Sequence, residues 1–107
     1  MRPVATEDPT DLNRLERAAE AEEAKARENR RKELDDVRWL LGHPQGRRFL
    51  ARLLGVTGLY RTSFNHSGSV MAFNEGQRQV GLFLTAELTE ASSDGFMKVL
   101  SEHNRTK

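Results

Sequence analysis

The sequence predicts an all-α protein: a long N-terminal helix leading into a small unit of three to four helices, with an irregular segment near 58–68. Three observations lead there. Between Thr10 and Leu41 there is no Gly and no Pro, and the stretch is filled with Ala, Glu, Arg and Lys, all good helix formers. Beyond Leu34 the apolar residues recur at three- and four-residue spacing, the period of a helix with one packed face. The helix-breaking residues Gly42, Pro44, Gly55, Gly58 and Gly68 fall between those runs.

The first helix is expected from about 9 to 41. Asp8 is read as its N-cap and Pro9 as its first residue, where the missing N–H is harmless. Asp11 follows in the first turn, where negative charge suits the helix dipole. Glu23–Arg27 and Glu28–Lys32 are i,i+4 pairs in the favoured order, worth ~0.2–0.5 kcal/mol each. A helix of that span is roughly 50 Å long. Its stretch from Leu15 to Leu34 has no wide apolar stripe, so it is read as a solvated, partly frayed helix, as an arm laid shallowly on a partner, or as disordered. Leu34, Val37 and Leu41, with Trp39 and Leu40 beside them, mark its entry into the core. Gly42 is expected as a left-handed terminator.

Pro44 opens a second helix over about 44–54, with Phe49, Leu50, Leu53 and Leu54 apolar, and Gly55 and Gly58 end it. Leu59–Phe64 has no helical period. Asn65-His66-Ser67-Gly68 is a loop by composition. A third helix runs from Ser69 or Asn74 to Ala91, with Phe73, Val80, Leu84 and Leu88 on one face and Leu82 and Phe83 alongside. An interior glycine costs ~1 kcal/mol against alanine. Gly76 is therefore placed in the first turn, and Gly81 where another backbone approaches. Ser92 or Ser93 caps a short fourth helix carrying Phe96, Val99 and Leu100, and Ser101–Lys107 is expected to fray.

Charge divides the chain in the same place as hydropathy. Residues 1–36, a charged helical arm, carry a net charge of −3, and residues 37–107, a compact helical unit, carry +4. The whole is +1 over 107 residues, which argues against a strongly basic nucleic-acid binder. The absence of cysteine excludes disulfides, thiolate-held zinc and thiol nucleophiles. The first residues lack the apolar stretch of a signal peptide, and no run reaches the ~18 apolar residues of a membrane span. The three histidines, His43, His66 and His103, lie in separate segments without metal-ligand spacing. No nucleophile elbow and no phosphate loop is present. The expectation is no enzyme, no cofactor, no metal, no membrane and no small-molecule substrate.

One electrostatic feature stands out. From Val37 to Asn74 there are five arginines, Arg38, Arg47, Arg48, Arg52 and Arg61, and no acidic residue. Arginine suits planar, two-pronged contacts with carboxylate or phosphate. Three destinations are open: internal pairing with Glu75, Glu87, Glu90 or the arm's acids; an acidic protein surface; or DNA backbone.

Residues 38–64, from Arg-Trp-Leu-Leu-Gly-His-Pro through Gly-Arg-Arg-Phe to Arg-Thr-Ser-Phe, are followed by Phe73-Asn74-Glu75-Gly76-Gln77-Arg78-Gln79-Val80-Gly81. Together they resemble a family of small proteins of short-tailed phages, first catalogued from a Bordetella podophage and lying among virion-assembly genes. The resemblance covers about 38–100 and leaves the arm unmatched. It implies a virion component or assembly factor without a catalytic motif. Its location would be the virion, and the host cytoplasm during assembly. The expected partner is a phage portal or neighbouring virion protein at the head–tail vertex or adjacent capsid interior, in several copies on a ring. The alternative is a DNA-contacting internal or packaging accessory protein. Within the motifs, Phe49, Phe64 and Phe73 are expected to meet in one aromatic core. Arg61, Glu75 and Arg78, with Gly76 and Gly81, are expected to be structural. Arg47, Arg48, Arg52 and Arg38 remain for an outside partner.

Overall fold

The structure, a computed structural model, describes residues 9–105, and side chains from 10 to 103. Its elements are α1 (Pro9–Leu41), α2 (Pro44–Thr57), α3 (Gly68–Ala91) and α4 (Ser93–Arg105). Among the described residues there is no strand. By contacts the chain divides into two units at Glu33–Leu34. The expected cap at Asp8 lies outside the described residues.

In the first unit α1 is held by its own local pairs. Asp11 bonds Arg14, Glu28 bonds Arg31 and Arg30 bonds Glu33, each at i,i+3 spacing. Glu28 takes Arg31 rather than the expected Lys32, because the guanidinium fork reaches both carboxylate oxygens, at 3.0 and 2.5 Å. Those bonds hold the Glu28 carboxyl below its usual range. Glu23 and Arg27 form no ion pair among the described residues.

The second unit is built on α2, α3 and α4, which pack against one another pairwise, together with Leu34–Leu41 of α1. Its core is Leu41, Leu50, Ala51, Leu54, Leu88, Ala91 and Val99, with Leu88 and Val99 essentially sealed from solvent. Leu34, Val37, Leu40, Leu59, Leu84 and Phe96 pack around it. Two glycines set the approach distances. A Cβ on Gly46 would lie 2.1 Å from the Leu40 carbonyl oxygen, and one on Gly81 would lie 2.5 Å from the Thr57 hydroxyl and 3.0 Å from Leu59 Cβ. Gly81 thus admits the side chains at the end of α2, rather than a backbone.

Several boundaries differ from the sequence reading. Gly42 is not left-handed; among the described residues only Gly58 is, with φ of 67°. The α1–α2 turn closes instead through the Gly42 N–H to the Arg38 carbonyl and the His43 N–H to the Leu40 carbonyl. α2 continues through Gly55, whose Cβ position faces open space, and stops at Gly58. α3 begins at Gly68 under Ser67, whose hydroxyl accepts from the Val70 N–H. Gly76 is therefore in its interior, not its first turn. Ser92 caps α4 through its hydroxyl and the Gly95 N–H. α4 does not fray at Ser101 but runs to Arg105.

The larger difference concerns which apolar residues are inside. Trp39 lies on the side of α1 away from Leu34, Val37 and Leu41, and is 64% exposed. The three phenylalanines do not form one core: Phe49, Phe64 and Phe73 are 48%, 65% and 66% exposed. On α3 the buried face is Gly81, Leu88 and Ala91, with Leu84 half-buried, while Phe73 and Val80 face outward.

Candidate functional site

The arginine cluster separates into two groups, according to the helix carbonyls within reach. The last carbonyls of a helix have no partner inside it and attract cations. Arg38 donates from Nε to the Ala91 carbonyl, the end of α3, at 2.6 Å. Arg47 donates from Nη1 to the Leu41 carbonyl, the end of α1, at 2.7 Å. Arg61 donates from Nη2 to the Gly55 carbonyl near the end of α2, at 3.0 Å. Neither α2 nor α3 has a basic residue in its own last turn. The cations come from outside those last turns, two of them from six residues further along the chain, and the Arg38 cap also ties α1 to the end of α3 across 53 residues.

Arg47 does more. Its Nε meets both oxygens of Glu102 on α4, at 2.7 and 3.0 Å, and its side chain is only 13% exposed. One guanidinium therefore joins the end of α1, the start of α2 and the last turns of α4. Arg38 also pairs with Asp35. The structure thus gives Arg47 and Arg38, expected to face a partner, intramolecular work.

Arg48 and Arg52 are different. Both are exposed, and neither meets a carboxylate among the described residues. Arg52 lies over the Phe49 ring at 5.9 Å. The solvent face of α2 carries Gln45, Phe49, Arg52 and Val56 at three- and four-residue spacing. Beside it, between α2 and α4, runs a groove of about 730 Å³ lined in part by Arg48, Arg52, Ala51, Val99, Glu102 and His103. A second hollow of about 460 Å³ continues it through Ala51, Val99 and His103 towards Tyr60 and Arg61. At the other edge Trp39 stacks on His43, ring centres 4.2 Å apart, and His43 Nδ1 lies 2.6 Å from the Trp39 carbonyl. Trp39 and Phe49 flank an apolar hollow floored by Leu40 and Gly46.

The remaining motif residues form a separate local set. Glu75 accepts from Arg78 and Gln79, each at 3.3 Å. Its carboxyl sits below the usual glutamate range, first because of a hydrogen bond from Ser63, then one from Gln79, with the Arg78 charge adding to them. Asn74 donates to the Ser63 carbonyl at 3.4 Å. Glu75 and Asn74 thus pin the segment before α3 onto its side. Phe64 is outside this set; its ring meets the edge of His66, and its N–H donates to the Thr62 hydroxyl at 3.2 Å. Among the described residues no three His, Asp or Glu gather in metal-binding geometry, and no helix is long and apolar enough to cross a membrane.

Residues 37–98 match the family described as Bbp19-like phage protein. The chain belongs to that family. No curated protein and no solved structure matches it. The Bbp19-like region contains all five clustered arginines and the Leu41, Gly55 and Ala91 carbonyls, so each of the three helix caps lies wholly within it. Glu102 and His103 lie beyond it. Sequence reasoning missed both residues because the last segment shows no apolar period after Leu100. Their one signal is position, a turn beyond the core residue Val99 and on the same side of the helix.

Proposed function

We propose that this Bbp19-like phage protein is a non-enzymatic structural component of the virion. It docks on a neighbouring virion protein at the portal and head–tail vertex or the adjacent capsid interior. The observation that carries this reading is the outer face of α2. There two arginines without carboxylate partners sit beside exposed Phe49, Val56 and, across the α1–α2 turn, Trp39. Aromatic residues and arginine are the types enriched where protein interfaces hold their binding energy. The balance of the whole unit points the same way. From Trp39 to Met97 twelve large apolar residues are exposed among the described residues, and exposed apolar surface is where partners dock.

The test is the composition of purified, nuclease-treated virions by mass spectrometry. A fixed small-integer ratio of this chain to the portal protein is expected, and it should fall in virions made with Arg48→Ala plus Arg52→Ala. Absence from virions would remove the structural reading and leave an assembly factor or a host-directed protein.

Because Arg48 and Arg52 lack carboxylate partners, the same face also suits phosphate oxygens on DNA. In that case labelled duplex should shift at low salt and be released steeply by ~200 mM.

A further inference from the structure

Four acids of the arm stand close together and unpaired. Asp11, Glu28 and Glu33 each meet an arginine of their own helix. Glu16, Glu20, Glu22 and Glu23 meet no Lys or Arg among the described residues. On α2 the reverse holds, since Arg48 and Arg52 meet no carboxylate among the described residues. Glu16 and Glu20 are one helical turn apart, and so are Arg48 and Arg52, so the two sets share one pitch.

Each set also borders an apolar row. On the arm the row is Leu12, Leu15, Ala19 and Ala26, all exposed. At ~100° per residue, Glu16 and Glu23 fall along one side of that row, with Glu20 beyond them. On α2 the row is Phe49 and Val56, also exposed, and Arg48 and Arg52 border it. The two borders have opposite hands. Viewed from outside with the N-terminus below, the acids lie to the right of the row on the arm, and the arginines to the left of the row on α2. Two such faces turned towards each other match only when the helices run in the same direction. Acid then meets arginine, and apolar row meets apolar row. An antiparallel pairing would set the acids against Phe49 and Val56. With Glu16 opposite Arg48 and Glu20 opposite Arg52, Phe49 falls between Leu15 and Ala19, and Val56 beside Ala26. The small alanines leave room for the larger side chains.

Direction also decides whose arm it is. α1 passes into α2 through Gly42 and His43 alone. Consecutive helices on so short a link turn back on one another and do not run side by side in one direction. An arm parallel to α2 must come from another copy.

We infer that the outer face of α2 takes the arm of a neighbouring copy of this chain, laid parallel, with Glu16 and Glu20 paired to Arg48 and Arg52. The inference rests on the reading of that face as a docking surface, and names its partner as a second copy at the vertex. Each contact uses one arm and one α2 face and leaves one of each free, so it repeats head to tail, as a ring requires.

The full chain should self-associate in sedimentation equilibrium at low salt, with Kd of about 100 µM, and less so at ~0.5 M salt, where exposed charges are screened. Arg48→Glu plus Arg52→Glu, and separately Glu16→Arg plus Glu20→Arg, should each weaken association at least tenfold, with helical circular dichroism unchanged. An equal mixture of the two double variants should associate again, because the arm of each then suits the α2 face of the other. The chain has no cysteine, so direction is readable by crosslinking. Ala19→Cys mixed with Phe49→Cys, and Ala26→Cys mixed with Val56→Cys, should both give the mixed disulfide; formation of the first alone would overturn the parallel direction. A wild-type chain that stays monomeric at about 1 mM, roughly ten times the expected Kd, or a variant mixture that does not associate, would overturn the inference. If that chain still enters virions in fixed ratio to the portal protein, the docking reading stands and the α2 face belongs to a different protein.

Discussion

Arg47 and Arg48 are neighbours in sequence with opposite roles. One is tied to Glu102 and the Leu41 carbonyl, and the other meets no carboxylate among the described residues. Arg47→Ala should therefore lower stability by about 1–3 kcal/mol, since it strands a half-buried carboxylate and a helix-end carbonyl. Arg48→Ala and Arg52→Ala should each stay within about 0.5 kcal/mol of wild type. Urea unfolding of the three variants checks both statements. Arg47→Lys should recover only part of the loss, because a single ammonium cannot span both acceptors in the guanidinium's planar fork. Glu75 gives a prediction in pH. Its folded carboxyl is depressed, so its contribution is present above the ordinary glutamate range and lost as pH falls through the lowered value. A side-chain NMR titration should place its midpoint below that of an unperturbed glutamate, and Ser63→Ala should raise it.

Helix packing in this unit is limited by backbone approach as much as by side-chain volume. At Gly46 the obstructing atom is a carbonyl oxygen of α1, fixed in its helix, 2.1 Å from where a Cβ would sit. At Gly81 the nearest obstruction is the Thr57 hydroxyl at 2.5 Å, a side-chain atom bonded to the Leu54 carbonyl, with the Thr57 and Leu59 Cβ atoms at 3.0 Å. Gly46→Ala should accordingly cost about 1–3 kcal/mol by overpacking. Gly81→Ala should cost less, since the better helix propensity of alanine offsets up to ~1 kcal/mol of it. Thermal unfolding of the two variants side by side tests the order. The period of three and four residues showed that α3 is a helix. It did not show which of two apolar stripes faces the chain's own core, because Phe73–Phe83 and Gly81–Ala91 are equally apolar. The choice is made by Thr57 and Leu59, which leave room on α3 only where residue 81 has no side chain.

At the scale of the molecule the chain separates charge from hydropathy. The residues before Leu34 carry charged side chains in local i,i+3 pairs, worth only a few tenths of a kcal/mol each. Among the described residues the buried apolar ones all lie from Leu41 on. Deleting residues 1–33 should therefore leave the remaining unit folded. Its Tm should change by no more than roughly 4–8 °C, equivalent to ~1 kcal/mol for a domain of this size. Loss of all helical circular dichroism would place the arm in the core.

The sequence by itself determined the all-helical class, the long first helix, the irregular stretch around 58–68 and the family. Each depends on local composition and spacing, which act within a few residues. The structure alone decided what the arginines do and which aromatics are covered. Whether Arg38, Arg47 or Arg61 caps a helix depends on where the carbonyls of Ala91, Leu41 and Gly55 come to lie. For Arg38 and Ala91 those positions are 53 residues apart in the chain. Likewise the exposure of Trp39, Phe49 and Phe73 follows from how each helix is rotated about its axis. In that arrangement Gly46 lies against Leu40 across the α1–α2 turn, and Gly81 against Thr57 and Leu59, more than twenty residues earlier in the chain.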